Sequence, residues 1–125
     1  MLSNKVNYWT GDECRKFEKE FAEWSGVNYS IALANGTLAL EVALKALDIG
    51  PGDEVIIPDL TMIATAFSVC YTGAKPVFVD ACNDTWNIDY SKIEEKINSK
   101  TKAIMIVPIF GHPCEFDEIS KIAKA

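Results

Sequence analysis

Apolar positions recur along this chain with two different spacings. Over residues 11–24, Phe17, Phe21 and Trp24 fall at helical intervals with charges between them, and Thr10 and Glu13 stand at capping-box spacing. The pattern predicts an amphipathic helix over 11–24, with Arg15, Lys16, Glu18, Lys19, Glu20 and Glu23 as a solvated face, closed by Gly26. Residues 27–34 then read as the first strand of a sheet. The next stretch, 37–48, is apolar on nearly every side apart from Glu41 and Lys45, and predicts a helix buried on more than one face.

Gly50-Pro51-Gly52-Asp53 is strong turn chemistry, and Glu54-Val55-Ile56-Ile57-Pro58 reads as a β-branched strand. Its uninterrupted apolar run belongs in a sheet covered on both faces. The alternation continues with a helix over 61–71 closed by Gly73, a strand over 76–80 and a turn at Asn83-Asp84. Ser91 and Glu94 form a second capping box for a helix through Ile97. A strand over 102–107, a break at Gly111-His112-Pro113 and a helix from Glu115 onward complete the order. Strands alternating with helices at this spacing imply right-handed βαβ crossovers, hence an α/β fold of three layers around a mainly parallel sheet.

Ligands of open α/β sheets sit beyond the carboxyl ends of the strands, where three loops are candidates: 35–37, 58–62 and 80–82. At Asn35-Gly36-Thr37 an apolar run passes straight into a helix. Free amides and the positive end of the peptide dipole at such a junction can hold a dianion without a lysine. Gly36 has no Cβ to block an oxyanion, and Thr37 adds a hydroxyl. The alternative is a tight strand-to-helix turn with nothing bound. The glycine spacing does not fit a dinucleotide fingerprint and no P-loop occurs, which disfavours nicotinamide enzymes and ATPases.

Composition narrows this further. At 125 residues and 49% hydrophobic the chain is one domain or part of one, with enough apolar surface for a core. A net charge of −6 argues against nucleic acid or an anionic membrane as partner. The segment Met1-Leu2-Ser3-Asn4-Lys5 lacks the apolar core of a secretory signal and no apolar segment is long enough to span a bilayer, so the expected location is the cytoplasm. Cys14, Cys70, Cys82 and Cys114 are scattered, with His112 as the one imidazole, so neither a metal site nor a redox motif is expected and the thiols read as reduced and structural.

Four blocks, Asn35-Gly36-Thr37-Leu38-Ala39-Leu40, residues 49–58, Leu60-Thr61-x-Ile63-Ala64-Thr65 and Gly73-Ala74-x-Pro76-Val77-Phe78-Val79-Asp80, together resemble the DegT/DnrJ/EryC1/StrS aminotransferases. The resemblance runs from about Trp9 to the last residue and is nearest to members making perosamine-like 4-amino sugars. It implies the amino-terminal portion of the large domain of pyridoxal-phosphate enzymes of fold type I. The chain would then be a single incomplete domain, with residues 1–26 as an amino-terminal segment and helix and 27–125 as the first part of the cofactor-binding domain.

The implied activity is transfer of an amino group, with glutamate as expected donor, to a nucleotide-linked keto-deoxy sugar in a homodimer or higher oligomer. The resemblance implies that Gly36 and Thr37 bind the cofactor phosphate. Met62 falls where an aromatic ring usually stacks on the pyridine; a thioether can pack on a π-face, and a simple buried methionine is the alternative. Trp9 and Thr10 match the segment near the sugar, with a hydrophobic lid on the first helix as the alternative for Trp9. Pro108 and Phe110 replace a His and a Tyr found in many relatives and receive no catalytic role, and His112 reads as part of a surface turn. The family's Schiff-base lysine and the acid on the pyridine nitrogen are expected beyond Ala125, so no catalytic residue is assigned here and these residues are expected to be inactive alone. Exposed strand edges and an apolar helix surface would then favour self-association or a rearranged sheet. A sugar-dehydratase relative on the same scaffold and a non-catalytic α/β interaction module are the alternatives.

Overall fold

The computed structural model describes residues 11–124, which fall in two compact units divided between Ala34 and Asn35. In the first unit, helix α1 spans Glu13–Ser25. Gly26 ends it as the sequence predicts, turning left-handed at φ 70° while its N–H and that of Val27 return to the last helical carbonyls. The start differs from the predicted capping box. Asp12 precedes the helix without a side-chain cap, Glu13 pairs with Lys16 at 3.1 Å instead, and Thr10 lies outside the described residues. The strand predicted over 27–34 does not form. Ladder hydrogen bonds need a neighbouring edge, and among the described residues this segment has none. Beyond Val27, whose N–H returns to α1, the segment is tied by the Ala32 N–H donated to the Glu18 carboxylate at 2.8 Å.

The second unit is built on a three-stranded parallel sheet. Its elements are helix α2 (Gly36–Ala46), strand β1 (Glu54–Pro58), helix α3 (Ile63–Thr72), strands β2 (Lys75–Val79) and β3 (Thr101–Ile104), and helix α4 (Phe116–Lys124). The sheet order is β2-β1-β3. Glu54 lies opposite Lys75 and Pro58 opposite Val79, whereas the β3 register slips between Glu54–Thr101 and Val55–Ala103, leaving Lys102 as the extra residue.

Side chains of a strand alternate between faces, and β1 uses both. Val55 and Ile57 pack with Leu44, Ile49, Val69 and Ala74 under α2 and α3. Ile56 packs the other way with Val79, Ile88, Ile93 and Ile119, the last from α4. Val55, Ile56 and Ile57 are all 0% exposed, and each such side chain contributes about 1.5–3 kcal/mol. The predicted strand covered on both faces is therefore found at the centre of an α/β/α arrangement.

Two other expectations change. Helix α2 buries only Leu44, and Leu38 and Val42 stay exposed, because among the described residues one face alone has a neighbour. The helix predicted from Ser91 through Ile97 is replaced by two 3-10 turns, Tyr90–Lys92 and Glu94–Lys96. Asp89 captures both the N–H and the hydroxyl of Ser91, at 3.1 and 2.6 Å, so Ser91 cannot serve as the cap. The remaining strands and helices lie within a few residues of their predicted bounds, the largest difference being β3, which stops at Ile104. No helix among the described residues is long and apolar enough to cross a membrane.

The amino end of the sheet is tied by Glu54. Its carboxylate accepts from Asn98 at 2.8 Å and pairs with Lys75 at 3.2 Å, and these bonds, Asn98 first, hold its carboxyl below the usual range. A depressed folded pKa gives stability that is present above the unfolded value, about 4.3, and lost as pH falls through the folded one. Denaturant titrations between pH 6 and roughly pH 3 should show stability falling, and Glu54→Gln should flatten that fall. Equal slopes for the two proteins would remove Glu54 from the account.

Gly73 is the second structural anchor. It closes α3 at φ 85°, and a Cβ there would stand 2.9 Å from Pro51 Cγ. Gly73→Ala is expected to cost about 1–3 kcal/mol by urea denaturation at neutral pH, through strain and the displaced Pro51 turn.

Candidate functional site

At the carboxyl edge of the sheet, the starts of α2 and α3 and the segment after β3 enclose an open groove of about 630 Å³. Gly36 and Thr37 come from α2, Met62 and Thr65 from the start of α3, and Val107 and Pro108 from beyond β3. The groove is apolar apart from the α2 terminus and the hydroxyls of Thr37 and Thr65, and among the described residues no lysine, arginine or carboxylate lines it.

The α2 terminus is set by Asn35. Its backbone is extended, its side-chain oxygen accepts the Leu38 N–H at 3.0 Å, and its carbonyl accepts the Ala39 N–H at 3.1 Å. The amides of Gly36 and Thr37 are left without a partner among the described residues. Gly36 is helical and a Cβ there would meet nothing within 4 Å. Neither backbone conformation nor local packing demands glycine at this position, and the space in front of it is open.

Met62 precedes α3 as its extended N-cap residue and is 72% exposed, so its thioether is available at the groove and is not core filling. Thr65 is buried, and its hydroxyl shares a 2.8 Å bond with that of Thr61. Gly36, Thr37 and Met62, singled out from the sequence, thus line one cleft. Trp9 and Thr10 lie outside the described residues. Asp80, from the third candidate loop, does not join the cleft. It pairs with Lys92 at 3.3 Å and accepts the Ala81 N–H, and these bonds, Lys92 first, hold its carboxyl below the usual range.

Sequence reasoning missed the far wall and what holds it. Pro108 lines the groove, and the next N–H, that of Ile109, is received by the buried side chain of Asn87. The signal available was one polar residue inside Thr85-Trp86-Asn87-Ile88, which a solvated turn explains equally well. His112 is exposed in the turn, as expected, with its carbonyl accepting from Asn87. Among the described residues the four cysteines are free and no group of side chains is placed to hold a metal.

Comparison with known proteins gives a consistent result. The chain is 50% identical over 124 residues to a GDP-perosamine synthase of Escherichia coli O157:H7, a match covering 99% of this chain and 33% of that relative. The crystal structure of an aminotransferase from Psychrobacter cryohalolentis superposes with a TM-score of 0.88 at 54% identity, over 98% of this chain and 31% of that one. A GDP-4-keto-6-deoxymannose-3-dehydratase holding a trapped PLP-glutamate geminal diamine superposes with a TM-score of 0.80 at 32% identity, over 90% and 31% of the two chains. The chain therefore spans about a third of the length of the relatives it matches. The fold is α/β, shared with the pyridoxal-phosphate aminotransferases. With residues 2–125 matching its pattern, the chain belongs to the DegT/DnrJ/EryC1/StrS aminotransferase family.

Proposed function

We propose that these residues are the front part of a pyridoxal-phosphate aminotransferase acting on a nucleotide-linked keto-deoxy sugar, with glutamate as donor, in amino-sugar or polysaccharide biosynthesis in the cytoplasm. The observation that carries this reading is the meeting of the unpartnered Gly36 and Thr37 amides with Met62 and Pro108 around one apolar groove. When bound, the coenzyme would supply the electron sink that amino transfer requires.

The chain's own residues bind and orient. Gly36 and Thr37 hold the phosphate by backbone N–H and hydroxyl donors at the positive end of α2. Met62 would offer its thioether to the coenzyme's ring, and Val107 and Pro108 would help exclude water from the groove. Trp9 and Thr10 serve the sugar. Among the described residues no amine or carboxylate lines the groove, so the groups that anchor the coenzyme and move protons are assigned to the rest of the intact enzyme. These 125 residues alone are then inactive.

A second reading, a sugar dehydratase on the same scaffold, is supported by the likeness to the GDP-4-keto-6-deoxymannose-3-dehydratase. The higher identity to the GDP-perosamine synthase puts amination first.

Gly36→Ala separates binding from folding, because the added methyl meets no protein atom and alanine suits a helix better. In the intact enzyme this variant should keep or raise apo stability while weakening pyridoxal phosphate by roughly tenfold, and Thr37→Ala should weaken it less. Calorimetric titration of the apo enzyme checks both; unchanged affinity in both variants would sink the reading.

The intact enzyme is proposed to be a homodimer or higher oligomer. Exposed Leu38, Val42, Ile63, Phe67 and Tyr71 give the helical layer apolar surface for such contacts or for the rest of the chain. Sedimentation of the isolated 125-residue chain is expected to reveal self-association, and a stable monomer would count against it.

A further inference from the structure

We infer that Asn87 is a positioning residue, whose side-chain amide clamps the turn after β3 and thereby sets the Pro108 wall of the groove. This rests on the groove being the cofactor site proposed above. Asn87 is only 3% exposed, yet all of its side-chain hydrogen bonds reach across more than twenty residues to one turn. Its Oδ1 accepts the Ile109 N–H at 2.9 Å, and both hydrogens of Nδ2 are donated, to the carbonyls of His112 and Pro113, each at 3.0 Å. The pattern of one N–H and two carbonyls fixes which end of the amide is oxygen and fits no other side chain of this size.

The turn needs such a clamp. Phe110 sits at φ 49° and ψ 22°, a left-handed conformation that a bulky residue adopts at a cost, and at 98% exposure its side chain recovers none of that cost by packing. The Pro108–Ile109 peptide is held at both ends, its carbonyl accepting the Gly111 N–H at 3.2 Å and its N–H donated to Asn87. That peptide directly follows the residue lining the groove.

Asn87 is itself immobilised. Its carbonyl accepts the Cys82 N–H at 2.8 Å, and the antiparallel bridge Ala81–Ile88 closes the loop that carries it. Ile88, its neighbour, is anchored in the core beside Ile56, so the clamp joins the groove wall to the central strand through one buried amide.

The test uses the intact enzyme with Asn87→Ala, and with Ile119→Ala as a control that loses core packing but none of the hydrogen bonds of the clamp. Asn87→Ala should weaken pyridoxal phosphate binding to the apo enzyme by roughly tenfold, while Ile119→Ala, at equal or larger loss of Tm, should stay within about twofold of wild type. Hydrogen exchange supplies the second readout. The Ile109 amide of wild type should exchange slowly despite its place in an exposed turn, and the variant should lose that protection.

Fast exchange at Ile109 in wild type overturns the clamp, a result that stands even if the variant does not fold. Unchanged affinity in a folded variant, or an equal loss in Ile119→Ala, reduces Asn87 to a structural residue. If wild type does not bind pyridoxal phosphate, the proposed function fails instead, and exchange at Ile109 alone decides whether Asn87 holds the turn.

Discussion

Burial of β1 on both faces is the constraint from which the second unit is organised. Val55, Ile56 and Ile57 have no exposed surface, and their alternation sends consecutive side chains into separate cores. A strand in that position must have every backbone group paired, which β2 and β3 supply from either side. It must also have a layer against each face, which α2 with α3 and α4 with the 3-10 turns supply. Removing either layer would open one core to water and leave the sheet half covered.

The groove follows from the same arrangement. Parallel strands all end on one side, so the starts of α2 and α3 and the segment after β3 converge there without any residue being selected to bring them together. What distinguishes this edge chemically is small: an asparagine cap that leaves two amides open, a glycine with empty space before it, and an exposed methionine. Among the described residues no charged side chain lines the groove, and its polar character comes from helix-terminal amides, the peptide dipole and two threonine hydroxyls.

Much of this was legible from residue order. The β-branched run 54–58, the Gly50–Asp53 turn, Gly26 and Gly73 as helix ends, and the alternation of helix and strand signals are local features, and they appear where local chemistry puts them. The Asn35-Gly36-Thr37 junction could be singled out because a helix start carries its chemistry in the backbone. Expectations failed where the partners differed from those expected: Asp89 took Ser91 from its expected cap, and residues 27–34 had strand character but, among the described residues, no edge to pair with.

By itself the sequence determined most of the helical and extended segments, which strand is buried throughout, and which junction offers free amides, because each depends on neighbours a few residues away. Only the tertiary structure decided that β1 lies between β2 and β3, that Met62 and Pro108 face the same groove as Gly36, and that Asn87 governs a turn more than twenty residues distant. Those outcomes depend on which surfaces meet once the chain has closed on itself. A buried amide chooses its partners by geometry across the fold, and the order of residues along the chain holds no local trace of that choice.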